Sequence, residues 1–187
     1  MTSIELNPVQ LGDLEVGLWK AHNEKNKSEM ARLLVEHNVV LYGFTPQEAQ
    51  EALKGLVQGV NYHDTREWDK AIEATTVYYQ KIKDKAGLDF DPKEMAKLEV
   101  GWWKLHDELG DNSDKTQLAE AFAKLYATQF GVDMEEMKKA GQLKAEATRE
   151  HDLAEEPNTS EDETEGHWDK ANQLLIDFYT ELNKVLS

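Results

Sequence analysis

The chain has 187 residues, of which 40% are hydrophobic and five are tryptophans, so it can bury one good core or two small ones packed together. Cysteine is absent, which excludes disulfides, thiolate nucleophiles and cysteine metal sites. The net charge of −16 argues against sequence-independent binding to DNA or RNA and against anionic membrane surfaces.

Helix start and stop signals follow one another along the whole chain. Asn7-Pro8 and Asp91-Pro92 each offer an N-cap followed by proline at the first helical position, and residues 45–48 read as a capping box. Apolar residues recur between these signals at three- and four-residue steps, with almost no strand signal. The pattern predicts an all-α protein with eight helices, at residues 8–25, 28–42, 46–62, 65–86, 92–109, 114–130, 134–153 and 163–186. Four glycines stand where helices are expected to end, namely Gly43, Gly87, Gly110 and Gly131.

The chain also repeats itself. LEVGLWKAH at 14–22 returns as LEVGWWKLH at 98–106, with seven of the nine letters unchanged. Further matches follow in the same order: His63-Asp64 with His151-Asp152, Trp68-Asp69-Lys70-Ala71 with Trp168-Asp169-Lys170-Ala171, and Tyr79 with Tyr179. We interpret the chain as a tandem duplication of a four-helix unit, with repeats at about 8–87 and 92–187. The repeats are expected to pack about a pseudo-twofold axis as one compact helical domain over 1–187.

Two segments interrupt or precede this pattern. Residues 155–166, EEPNTSEDETEG, form an acidic, breaker-rich stretch that we expect to be a loop insertion in the second repeat. The N-terminal segment MTSIELNPVQ lacks the basic and apolar regions of a signal peptide, and no apolar run is long enough for a membrane span. We therefore expect a cytoplasmic protein that binds neither membranes nor nucleic acid. The sequence does not decide whether it forms homo-oligomers.

Candidate chemistry lies in the polar residues that both halves retain. They are Glu15, His22, His63, Glu99, His106 and His151. Glutamate and histidine on facing helices are the ingredients of carboxylate-bridged iron or manganese sites, and the same ligands suit zinc. The hypothesis is that these six residues bind a divalent metal or a small polar ligand between the halves, with Trp19 and Trp103 as cofactor-binding walls.

The spacing restrains this hypothesis. Glu15 and His22 share a helix face but stand about 10 Å apart along the axis, so one ion is difficult for both to reach. If the helices that contain the two copies of the repeated segment cross antiparallel near Trp19 and Trp103, Glu15 comes level with His106. Glu99 then comes level with His22.

The alternative is a non-enzymatic interaction or scaffold protein in which the repeated residues are structural. Glu15 and His106 would then form a charge-assisted pair, and the tryptophans would be core anchors. Asp64, after His63, would cap the next helix. Whether the protein is an enzyme stays undecided at this point. His37 and His167 have no counterpart in the other half, so we expect them to be solvent-facing or locally hydrogen-bonded.

Overall fold

The computed structural model of the protein describes residues 6–110 and 112–187. Within these residues the chain forms eight α-helices and no strand, which confirms the all-α prediction. In chain order they are α1 Pro8–Asn23, α2 Lys27–Tyr42, α3 Pro46–Asp64, α4 Trp68–Ala86, α5 Pro92–Leu109, α6 Thr116–Phe130, α7 Met134–Ala154 and α8 Glu161–Leu186. Residues 1–5, within the segment expected to lack an export signal, lie outside the described residues.

The helices begin and end largely at the predicted capping residues. The side chain of Asn7 accepts a hydrogen bond from the backbone N–H of Gln10 at 3.2 Å, and Asp91 caps α5 in the same way. Thr45 and Glu48 form the expected capping box. Gly43, Gly87 and Gly131 adopt a left-handed conformation at the C-caps, which a residue with a Cβ rarely does. Local sequence therefore sets most helix ends.

Several helix boundaries differ from the prediction by one to three residues, and the starts of α4 and α8 have clear local causes. Helix α4 begins at Trp68, three residues late, because Arg66 takes a positive φ of 58°. Asp64 is consequently the last residue of α3, and the capping role expected for it is wrong. Helix α8 begins two residues early at Glu161, because Ser160 and Glu163 form a capping box. The acidic segment 155–166 is thus a loop only over residues 155–160.

Each helix packs against the next one along the chain, and α8 returns to pack against α1. Helix α1 contacts α2 and α8, whereas α5 contacts α4, α6 and, more lightly, α3. In the described residues α1 and α5 form no packed crossing, so the arrangement assumed for bringing Glu15 level with His106 is wrong. Glu15 and Glu99 lie instead at two helix–helix interfaces, α8–α1 and α4–α5, which we call joints.

The core combines aliphatic and aromatic packing with buried hydroxyl groups. Phe122, Phe178 and Ile82 are essentially inaccessible, and Tyr79 and Tyr179 are buried with them. Because a buried phenol needs a hydrogen-bond partner, these tyrosines point to the polar contacts of the interior. None of the described helices is long and apolar enough to cross a membrane.

Helix α7 lies unusually close to α6. A Cβ at Gly141 would collide with the carbonyl oxygen of Ala119 and the backbone nitrogen of Ala123. Glycine therefore permits the approach, and it places the next turn of α7, which contains Lys144, deep in the protein, where that side chain is 4% exposed.

Candidate functional site

Glu15 lies at the joint between α1 and α8 and has a cationic partner. The Lys144 ammonium of α7 forms an ion pair with Glu15 Oε1, and the Tyr179 hydroxyl of α8 donates to Oε2 at 2.8 Å. The Lys144 Nζ also lies 5.3 Å from the ring centre of Trp19 and 5.2 Å from that of Phe178. Burial opposes ionisation of the carboxyl, but Lys144 outweighs it, aided by the tyrosine, and lowers the pKa of Glu15.

His37 of α2 extends this cluster. Its Nε2 lies 2.8 Å from the Tyr179 hydroxyl, whose single proton is already donated to Glu15. The imidazole therefore donates through Nε2–H and is held as that neutral tautomer. Burial disfavours the charged form and lowers the pKa of His37, against the attraction of Glu15. The expectation that His37 is solvent-facing or locally bonded is wrong, because its partner is a distant helix.

Glu99 lies at the joint between α4 and α5 and has no adjacent lysine. The Tyr79 hydroxyl donates to Glu99 Oε2 at 2.7 Å, as Tyr179 does to Glu15. Burial raises the pKa of Glu99, and the Tyr79 hydrogen bond, the nearby Trp102 and Trp103 indoles and the charge of Lys144 only partly oppose this. The two repeated glutamates therefore share a phenol partner, but their pKa values are shifted in opposite directions.

Neutral polar side chains surround both glutamates. The Tyr78 hydroxyl donates to Asn38 Oδ1 at 2.9 Å, and Gln129 donates to the Tyr42 hydroxyl at 2.9 Å. Burial raises the pKa of the Tyr78, Tyr79, Tyr126 and Tyr179 phenols, so all four stay neutral. The interior is thus a hydrogen-bonded network of neutral side chains around the Lys144–Glu15 ion pair.

His151 lies in the last turn of α7 and contacts two indoles. Its ring centre lies 5.0 Å from that of Trp19 and 5.6 Å from that of Trp168. Nε2 is 3.1 Å from Glu155, and Nδ1 is 3.4 Å from Asp152. Burial opposes protonation of the imidazole, but these two carboxylates outweigh it and raise the pKa of His151 to about 9. A cationic ring therefore joins α7 to α1 and α8.

His63 occupies the matching place at the end of α3. Its ring centre lies 5.3 Å from that of Trp68 and 5.6 Å from that of Trp103, and its Nε2 is 3.2 Å from Asp107 Oδ2. We call each histidine with its two indoles a histidine clamp. Trp19 and Trp103 consequently belong to different clamps and do not face a common pocket.

His106 and His22 complete the predicted set and lie apart from the glutamates. His106 Nε2 is 3.1 Å from Asp152 Oδ1, and the ammonium of Lys115 is 2.9 Å from Oδ2 of the same carboxylate. Burial opposes ionisation of Asp152, but hydrogen bonds from His106, His151 and Lys115 outweigh it and hold the pKa of Asp152 well below the usual range. His22 is exposed near the end of α1. Asp152 is therefore a structural anchor between α5, α7 and the loop before α6.

The predicted site residues thus fall into separate clusters. Glu15 pairs with Lys144 instead of His106, and Glu99 contacts Tyr79 instead of His22. Across residues 6–110 and 112–187, no group of three histidine, aspartate or glutamate side chains is arranged to hold a metal ion. Metal binding by the six residues, whether iron, manganese or zinc, has no support in this geometry.

Sequence reasoning missed Lys144 and gave the repeated tyrosines too small a part. The sequence shows Tyr79 and Tyr179 as a matched pair. Since each repeated glutamate needs a polar partner, this pair could have predicted the Tyr–Glu hydrogen bonds. Lys144 has no such signal, because the matching position in the first half is Leu56. His167, expected to be solvent-facing or locally bonded, contacts Glu150 of the preceding helix at 2.6 Å.

No protein-family model, curated protein or solved structure matches the chain.

Proposed function

We propose that the protein is a non-enzymatic interaction or scaffold protein whose repeated glutamate, histidine and tryptophan side chains hold its helices together. One observation supports this most: Tyr179 of α8 donates to Glu15 of α1, and Tyr79 of α4 donates to Glu99 of α5. Both bonds join a helix that ends one half to a helix that begins the other. Side chains engaged in this way stabilise the fold.

The histidine clamps act at the same two joints. His151 packs against Trp19 of α1 and Trp168 of α8, while His63 packs against Trp68 of α4 and Trp103 of α5. An imidazole in tilted or edge-on contact with two indoles buries apolar area of all three rings. The retention of these residues in both halves is therefore accounted for by helix packing.

We further propose that the halves are a tandem duplication related by a pseudo-twofold axis within one domain. The collinear sequence matches and the matched contacts at the two joints support this. The test is to superpose α1–α4 on α5–α8. The proposal expects the helices to match in order with a rotation of about 180°, and helices that match only out of order would refute it.

Partners are proposed from charge. A chain of net charge −16 attracts lysine- and arginine-rich protein segments and repels nucleic acid and anionic membranes. We propose a basic protein partner in the cytoplasm. The proposal is compatible with a homo-oligomer, because basic and acidic side chains are both present at the surface.

Two measurements test this function. Protein purified without a histidine tag should contain sub-stoichiometric metal and should keep its melting temperature after chelator treatment; one bound metal per chain would overturn the structural role of the repeated residues.

A fluorescent lysine-rich peptide should bind at low salt and be released in about 0.5 M salt, where charges are screened within a few ångströms. A glutamate-rich peptide of equal length is the control, and equal binding of both peptides would refute the basic partner.

A further inference from the structure

Two valines of helix α3 lie on a face that is covered in the other half of the chain. Within residues 6–110 and 112–187, Val57 is 48% exposed and Val60 is 41% exposed. The residues at the matching positions of α7, Ala145 and Thr148, are buried, and Ala145 packs in a cluster with Phe122 of α6. Helix α2, which matches α6, packs much more lightly on α3. The same face is therefore covered in the second half and accessible in the first.

The positions of the glycines explain this difference. Gly141 of α7 permits the close approach of α6, but the matching residue of α3 is Leu53. The glycines of α3 are Gly55 and Gly59, at which a Cβ would collide with α4. Val57 lies two residues from each of them, and two residues turn an α-helix by about 200°. Helix α3 therefore lies close to α4 and directs Val57 to the opposite side.

The accessible face has the spacing of a helix–helix seam. Its members Leu53, Val57, Val60 and Asp64 follow one another at intervals of four, three and four residues, as in a coiled coil. Leu53 is buried in the core, so the valines are the apolar members that remain accessible. Lys54 lies about one turn before Val57, and Asp64 lies about one turn after Val60. The seam thus has a cation at one end and a carboxylate at the other.

This order of charges favours a second copy of the chain as the occupant. An antiparallel pair of α3 helices, with a twofold axis between the valines, places Val57 against Val60 of the partner subunit. The same axis brings Lys54 close to Asp64 of the partner subunit, because each lies about one turn outside the valines. Both side chains are exposed in pairs within their own chain, so they can turn toward a partner.

The remaining charge on α3 agrees with this choice. Two chains of net charge −16 repel each other, and they approach most easily through a surface that lacks carboxylates. Residues 52–63 contain none, although the chain has 37 acidic residues. A basic partner, in contrast, would find few groups to pair with on this face.

We propose that α3 is a homodimer surface, on which the α3 helices of two copies pack antiparallel around Val57 and Val60. The contact extends over little more than residues 53–64, so the interface is small. A small interface gives a weak dimer, with a dissociation constant above about 1 μM. The proposal goes beyond the binding of a basic partner, because its main contact is apolar.

Sedimentation equilibrium of the intact protein, at concentrations up to about 1 mM, tests the surface. The dimer fraction is expected to rise with concentration. Val57→Glu and Val60→Glu should each raise the dissociation constant at least about tenfold, because a carboxylate would then be buried at the contact. Val77→Glu adds the same charge at a 51% exposed valine of α4 and should behave as the wild type. A monomeric wild type at about 1 mM, or a dimer that both α3 variants leave intact, would overturn the proposal.

The direction of the helices can be tested by cross-linking, because the chain has no cysteine. Val57→Cys and Val60→Cys each introduce a single thiol. Under mild oxidation, a mixture of the two variants should form disulfide-linked dimers faster than either variant alone. Faster cross-linking of each variant alone than of the mixture would refute the antiparallel arrangement.

Salt distinguishes this dimer from the charge-based binding of a basic partner. The dimer should persist in about 0.5 M salt, since screening weakens the repulsion between the two acidic chains and leaves the valine contact intact. The lysine-rich peptide should be released under the same conditions, and the Val57→Glu protein should still bind it at low salt. Dissociation of the dimer in about 0.5 M salt would contradict the apolar contact.

Discussion

Glu15 and Glu99 occupy matching places in the sequence repeat, but only Glu15 forms an ion pair with a lysine. Each accepts a hydrogen bond from a buried tyrosine at an inter-helix joint. Lys144 lies beside Glu15, and the pKa of that carboxyl is lowered, whereas burial raises the pKa of Glu99. The comparison teaches that a repeated residue type need not have the same pKa in both of its positions. Lys144 of α7, which matches Leu56 in the first half, lowers the pKa of the one carboxyl that it pairs with.

The largest expected effect comes from removing that lysine. Lys144→Leu makes the second half resemble the first and leaves the Glu15 carboxylate without its cation. We expect a loss of about 3–5 kcal/mol in the free energy of unfolding, measured by urea denaturation at neutral pH. Lys139→Leu is the matched control on the same helix, because it breaks a pair with Glu181 in which the lysine side chain is 65% exposed and should cost less than about 1 kcal/mol.

A second variant distinguishes the loss of the Lys144 charge from the loss of its side-chain packing. Adding Glu15→Gln to Lys144→Leu should restore part of the lost stability, because both charged partners are then gone. Equal stability of the single and double variants would show that Lys144 acts through packing alone.

The paired tyrosines give the next effect. Tyr179→Phe removes a hydrogen bond to a carboxyl whose pKa is lowered, and with it the acceptor of the His37 bond, and should cost about 1.5–3 kcal/mol. Tyr79→Phe removes one bond to a carboxyl whose pKa is raised and should cost about 0.5–1.5 kcal/mol. Denaturation of both variants below neutral pH provides the measurement. A larger loss for Tyr79→Phe than for Tyr179→Phe would reverse the assignment of the two glutamates.

The histidine clamp at His151 should give a smaller effect that depends on pH. Its pKa is raised in the folded protein, so its contribution to stability is complete below the unfolded value of 6.5 and is lost as pH rises through about 9. His151→Gln should therefore be less stable than the wild type at low pH, by about 1–2 kcal/mol, and should approach it above pH 9. Exposed His22→Gln is the control and should change stability by less than about 0.5 kcal/mol. A His151→Gln loss that is constant with pH would contradict the charged clamp.

Local features of the fold could be predicted from the sequence, and long-range pairs could not. The caps at Asn7, Thr45 and Asp91 involve neighbours within three residues, so their letters predict them. The start of α8 was missed although Ser160 and Glu163 have capping-box spacing, because the surrounding acidic run favours a loop.

The sequence predicted most of the residues at the candidate site but not which of them contact each other. The repeat selected Glu15, Glu99 and the histidines, but their partners depend on how helices cross. Glu15 and Lys144 are 129 positions apart, and nothing in their local sequence encodes the contact. The assumed crossing of α1 and α5 gave histidine where the fold supplies lysine and tyrosine.

The central claim is that Glu15 and Glu99 hold their protons over different pH ranges. Carboxyl carbon chemical shifts of glutamate-labelled protein, titrated in the wild type and in Glu99→Gln, measure this directly. The account predicts one wild-type resonance that titrates above the usual value of 4.5 and is missing from Glu99→Gln, with the Glu15 resonance titrating below it. A Glu99 carboxyl that ionises at or below 4.5, or a Glu15 carboxyl that ionises above it, would contradict the account.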